Sequence, residues 1–112
     1  MNLNKKKIFI LKYKNLDIGK LVFFDDVWSF AYSDNFKEQS EINPIIDFPD
    51  VNKIYKWDKL NPFFSIRIPS LKQPYIRELI KNEEIDPTNE VDLLKRFGYK
   101  SIANPFLLIY LE

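Results

Sequence analysis

The chain has 112 residues, 46% of them hydrophobic and 29% charged, which predicts a single folded globular domain over residues 1–112 rather than a disordered chain. Its net charge is only +1, from 17 basic and 16 acidic residues, and this balance argues against a dedicated nucleic-acid binder. It contains no cysteine and no histidine, which excludes disulfides, thiolate catalysis and the commonest metal ligand.

The N-terminal segment combines a basic head with apolar residues, as a signal peptide does. Its apolar run covers only Ile8–Leu11, however, and no small-residue cleavage site follows it. The basic cluster Lys5–Lys7 is typical of a solvated strand entry. No apolar run in the chain approaches the ~20 residues of a membrane-spanning helix. We therefore expect a cytoplasmic protein that contacts neither nucleic acid nor membrane directly.

The first third of the chain predicts a three-stranded antiparallel meander. Residues 7–13, 18–24 and 27–32 are rich in β-branched and aromatic side chains, which favour strands. The last of these segments, VWSFAY, alternates between two faces, as a half-buried strand does. Asn and Asp occupy the turns between the segments and can adopt turn conformations without glycine.

The next segment is predicted to contain one short helix and one more strand. Ser33 and Asp34 can cap a turn of helix that continues to about Glu41. Residues 44–48 form an apolar run bounded by prolines, which is typical of an edge strand. Residues 49–59 are then predicted to form a loop.

The second half of the chain predicts three helices and a final strand. Asn61 and Pro62 begin the first helix, since Asn accepts free amide hydrogens and Pro suits the first helical position. Gly98 is expected to close the third helix as its C′ residue. The predicted helices start at 62 and end before 69, run from about 74 to 82, and run from about 89 to 97; a strand covers 106–111. This order predicts an α+β fold, a small antiparallel sheet of about five strands packed with three helices.

The sequence contains no recognisable catalytic constellation. Ser70 and Lys72 lie close together, but their spacing matches no known nucleophile–base pair, and Ser70 suits a turn or a cap better. The carboxylates at 25–26 and 83–86 are typical of solvated turns, and their spacing matches no ordered Ca²⁺ loop. The two glycines lie too far apart to form a phosphate-binding loop. We therefore expect no enzyme activity, no metal and no cofactor.

Trp57 has an unusual context for a large apolar ring. Lys56, Asp58 and Lys59 surround it, Tyr55 precedes it, and the segment has no hydrophobic period. A buried Trp57 would need a partner for its indole N–H. A partly exposed Trp57 would suit an interface anchor, because Trp is enriched at binding hot spots. The residues alone leave both interpretations open.

Six segments, taken in chain order, form a recognisable series: LKYKNLDIGKLVF, WSFAY, INPIIDFP, LNPFFSIRIPS, IRELI and VDLLKRFGYKSIANPFLLI. The series resembles the N-terminal subdomain of the HipA-type serine/threonine kinase toxins, and the similarity extends from about Leu11 to Leu111. LNPFFSIRIPS is similar to the family's F-F-x-N-L-L-P segment. The following positions depart from the family pattern, because IRIPSLK lacks its acidic residue and its glycine.

The resemblance implies a function as well as a fold. A separate copy of this subdomain resembles the HipS-type antitoxins of three-gene HipBST toxin–antitoxin systems, in which the HipT kinase lacks the subdomain. The resemblance implies a non-catalytic antitoxin that binds and inhibits a HipT-like serine/threonine kinase, in a ternary complex with a HipB-like DNA-binding protein. The alternative is an adaptor that completes the kinase fold, or links it to the DNA-binding protein, without inhibiting it.

The hypothesis also divides the stretch IYKWDKLNPFF into two parts. The loop before residue 60 would carry Trp57 to the active-site cleft of the kinase. The expected partner-binding residues are Trp57, Tyr55, Lys56, Asp58 and Lys59. The residues expected to hold the domain together are Asn61, Pro62, Phe63, Phe64 and Gly98.

Overall fold

The computed structural model describes residues 5–111. Five strands form one antiparallel sheet in the order β4-β3-β2-β1-β5, and this sheet with its helices confirms the predicted α+β fold. The elements are β1 Lys7–Tyr13, β2 Leu16–Phe24, β3 Val27–Tyr32, α1 Asp34–Lys37, β4 Tyr55–Trp57, α2 Pro62–Ser65, α3 Pro74–Asn82, α4 Glu90–Phe97 and β5 Leu107–Leu111. None of the helices within residues 5–111 is long and apolar enough to cross a bilayer.

The β1–β2–β3 meander forms where the alternation predicts it, and its turns do without glycine. Asp25 and Asp26 both have positive φ, 53° and 62°, the pattern of a type I′ hairpin, whose twist suits antiparallel strands. In the β1–β2 turn the positive φ falls on Lys14 instead of an Asn or Asp. Ile18 lies opposite no β1 residue, so β2 carries a bulge at that point.

The predicted strand at residues 44–48 is wrong, because the segment pairs with no strand. The hydroxyl group of Tyr32 holds it instead. That oxygen accepts the Ile45 N–H at 2.9 Å and donates to the Phe48 carbonyl oxygen at 2.6 Å. Ile45 and Phe48 are buried, so the apolar run reflected burial rather than strand pairing.

The main core lies between one face of the sheet, here called the inner face, and the helices and loops packed on it. Phe48 is at the centre of an aromatic cluster, with its ring centroid 5.0 Å from that of Phe30 and 5.9 Å from that of Phe64. All three rings are almost fully buried. A second, smaller cluster packs α3 against α4. The fold therefore places its apolar interior on one side of a five-stranded sheet.

The N-terminal starts of the helices agree with the sequence predictions more closely than their C-terminal ends do. Asn61 accepts the Phe63 N–H at 2.8 Å and begins α2, and Asn89 accepts the Asp92 N–H at 3.0 Å and begins α4. The first helix, α1, is shorter than predicted and ends at Lys37. Gly98 ends α4 as its C-cap with a right-handed φ of −84°, so the predicted C′ geometry is wrong. A Cβ at Gly98 would lie 2.4 Å from the Leu94 carbonyl oxygen, so close packing explains the glycine.

Candidate protein-binding edge

The segment around Trp57 is the edge strand of the sheet and not the predicted loop. Strand β4, Tyr55–Trp57, pairs only with β3, in the register Trp28↔Trp57, Ser29↔Lys56 and Phe30↔Tyr55. Its other side carries no strand in the described chain, so backbone groups remain available there. Trp57 therefore occupies a fixed position on the sheet frame.

Trp57 is partly buried, which combines the two interpretations that its sequence context left open. Its ring centroid lies 5.5 Å from that of Phe48, and it stacks against Tyr55 at 6.5 Å with an interplanar angle of 16°. Both Tyr55 and Trp57 pack against the main core and still keep part of their surface in solvent. The stacked pair forms an aromatic ledge at the sheet edge.

Tyr55 is held in place from its hydroxyl end. Its hydroxyl oxygen accepts the Asp50 N–H at 2.8 Å, and the Lys53 ammonium lies 5.0 Å from its ring centroid. The preceding loop therefore closes onto Tyr55, and Tyr55 stacks on Trp57. A ring held in this way loses little conformational entropy when a partner packs on it.

The predicted partner-binding residues do not share one surface. Neighbouring side chains of a strand point to opposite faces, so Lys56 lies on the face opposite Tyr55 and Trp57. Lys56, Asp58 and Lys59 are all exposed. A single flat partner surface could therefore cover the aromatic ledge with part of the following turn, but it would reach Lys56 only around the sheet edge.

The sequence interpretation missed Glu90, which positions the chain immediately after β4. Its carboxylate accepts the indole N–H of Trp28 at 3.1 Å and the Leu60 N–H at 3.1 Å. Glu90 is an acidic residue in the first turn of α4, a position where a carboxylate is common for local reasons alone. Its two partners are distant in sequence, so local patterns gave no indication of this role.

A negatively charged cleft lies next to this edge. It has a volume of about 390 Å³, and its lining includes the carboxylates of Asp26, Asp58, Asp86 and Glu90. Of the predicted partner-binding residues, only Asp58 lines it. Within residues 5–111 no group of three or more carboxylates is arranged to hold a metal ion.

Arg67 is a second residue whose role the sequence did not indicate. It is only 5% exposed, and its guanidinium donates to the carbonyl oxygens of Gly98 at 2.9 Å and Phe106 at 3.0 Å and to Asn104 Oδ1 at 3.1 Å. Burial lowers the pKa of Arg67 to about 10. The arginine thus fixes the loop that leads from α4 to β5, and within the IRIPS segment it has a structural role.

These features define a small α+β domain with an aromatic sheet edge. The sequence matches the HipA N-terminal domain family over residues 10–102. This match covers most of the chain, and the protein therefore belongs to that family. No curated protein sequence matches it significantly.

Proposed function

We propose that this domain is a non-catalytic cytoplasmic antitoxin that binds and inhibits a HipT-like serine/threonine kinase. The observation that carries the proposal is the stacked pair Tyr55–Trp57 at the sheet edge of a member of the HipA N-terminal domain family. Partly exposed Trp and Tyr rings on a rigid frame are typical of interface hot spots. A HipB-like DNA-binding protein would complete a ternary complex.

The proposed mechanism is steric and electrostatic. The aromatic ledge would pack into the active-site cleft of the kinase and exclude nucleotide or substrate. Lys59, two residues after Trp57, is exposed. Its ammonium group would pair with a carboxylate of the kinase, where carboxylates normally hold Mg²⁺. No step of this mechanism requires catalysis by the antitoxin.

The test is a binding and phosphorylation assay with a HipA-like kinase that lacks its own N-terminal subdomain and is encoded beside this gene. Trp57→Ala should weaken binding by about 2–4 kcal/mol, roughly 30- to 1,000-fold, and restore autophosphorylation. Tyr75→Ala is the matched control, because Tyr75 is 73% exposed and lies on α3. The proposal fails if Trp57→Ala leaves binding and inhibition unchanged while circular dichroism shows an intact fold.

The adaptor function remains the second candidate, and one observation favours it. The face of the sheet opposite the core, here called the outer face, carries apolar side chains that no described segment covers. Such a face suits a subunit that completes a larger assembly. Tight binding with unchanged or increased kinase activity would indicate the adaptor, whereas loss of kinase activity would indicate the antitoxin.

A further inference from the structure

The outer face of the sheet is apolar over most of β1, β2 and β5. Phe24 and Leu111 on this face are 39% and 43% exposed. The other large aliphatic members of the face belong to neither core cluster nor to the side chains packed against one. They are Ile8, Ile10, Val22, Val27, Leu107 and Ile109.

The strands that form this face are apolar on both sides. Ile8–Leu11, Leu21–Phe24 and Leu107–Leu111 are continuous apolar runs. An antiparallel strand with one solvated face normally alternates apolar and polar residues, whereas continuous runs are typical of strands that are buried on both faces. The helices within residues 5–111 pack on the inner face, so the sequence of the strands indicates a second covering layer.

Lysines surround the apolar patch. Lys6 lies just before β1, with its ammonium 5.6 Å from the Phe24 ring centroid. Lys20 on β2 pairs with Ile10, and Lys56 on the edge strand pairs with Ser29. Within residues 5–111, none of these three lysines forms an ion pair with a carboxylate. Lys12 is the exception on this face, with Asp17 at 3.3 Å. Asp25 and Asp26 form the turn at the Lys6 end of the patch, so the positive charge away from that turn is that of Lys20 and Lys56.

We propose that the outer face binds an amphipathic helix of a protein partner, with an aliphatic stripe and flanking Glu or Asp side chains. The stripe would cover the aliphatic patch, and the carboxylates would meet Lys20 and Lys56. A second copy of this chain fits poorly, because its own lysine rim would face this one. The surface lies on the opposite side of the sheet from the aromatic ledge, so this inference does not rest on the antitoxin candidate. It deepens the adaptor candidate, which rests on the same outer face.

The test uses a synthetic 18-residue helical peptide with a leucine stripe and glutamates beside it, titrated into the intact protein by calorimetry. We expect binding that weakens as salt increases, because exposed ion pairs are screened. Lys20→Glu should lower the affinity about tenfold, and the double variant Ile10→Thr, Val22→Thr should abolish binding. Lys72→Glu, at an exposed position before α3, should leave the affinity unchanged.

Four outcomes would overturn the proposal. The first is no binding of the peptide to the wild-type protein. The second is equal binding of a peptide with lysines in place of the glutamates. The third is recruitment to anionic phospholipid vesicles through Lys20 without peptide binding, which would assign the face to a membrane surface. The fourth is a stable dimer in sedimentation that the Ile10→Thr, Val22→Thr variant dissociates.

Discussion

The indole Nε1 of Trp28 donates a hydrogen bond to Glu90 Oε1 at 3.1 Å, between residues that are 62 positions apart in sequence. The same carboxylate accepts the N–H of Leu60, three residues after Trp57. Glu90 thereby connects strand β3, the start of α4 and the chain leaving the edge strand. The position of the aromatic ledge depends on this connection, because β4 itself has only three residues.

Glu90→Ala should destabilise the domain by about 2–3 kcal/mol, since it leaves the Trp28 and Leu60 donors without their charged acceptor. Asp92→Ala is the control, because Asp92 is an exposed acid in the same helical turn. Its removal should cost less than about 1 kcal/mol. Urea unfolding measures both effects, and equal destabilisation by the two variants would contradict the role of Glu90.

Arg67→Met should destabilise the domain by about 3 kcal/mol, because one buried and two partly buried acceptors lose a charged donor. Methionine fills much of the same volume, so lost hydrogen bonds rather than a cavity should dominate the loss. Arg77→Met, at an exposed position on α3, should change stability by less than about 0.5 kcal/mol. Thermal unfolding of both variants is the measurement, and an unaffected melting temperature for Arg67→Met would be incompatible with the hydrogen bonds described.

Tyr32 should make the stability of the domain sensitive to high pH. Burial raises the pKa of Tyr32 from 10.0 to about 12, so the unfolded state loses this phenolic proton first as the pH rises. The stabilisation of the fold by the protonated Tyr32 phenol is complete below pH 10 and is lost between about pH 10 and 12. It amounts to about 2–3 kcal/mol.

The measurement is the free energy of unfolding of wild type and of Tyr32→Phe across this pH range. Tyr32→Phe should be less stable at neutral pH, because Ile45 and Phe48 lose their hydrogen-bond partner. The difference in the free energy of unfolding between wild type and Tyr32→Phe should shrink from pH 10 to 12. Arg67 titrates in both proteins, so the comparison removes its contribution. A constant difference would refute the predicted titration.

The two tryptophans should differ in their accessibility to solvent. Trp28 is 0% exposed, whereas Trp57 is partly exposed. In the Trp57→Phe variant the remaining fluorescence should resist quenching by acrylamide, and wild type should lose a quenchable component. Equal quenching of the two proteins would show that Trp57 is not accessible at the edge.

The sequence predicted those parts of the site that depend on neighbours along the chain. Asn61 and Pro62 start a helix because an amide side chain and a fixed φ act within one turn. The alternation in β3 places Trp28 and Phe30 on one face for the same local reason. Strand β4 escaped prediction because three residues give too short a pattern, and its pairing with β3 depends on contacts about 25–30 residues away.

By itself, the sequence determined the α+β class, the meander, the helix starts and the membership of the HipA N-terminal domain family, because these follow from local periodicity and from collinear motifs. Three features depend on the folded arrangement: Trp57 lies on an edge strand, Glu90 and Arg67 hold distant segments together, and one face of the sheet is left apolar. The physical reason is that strand pairing and the satisfaction of buried polar groups are set by which segments meet in space.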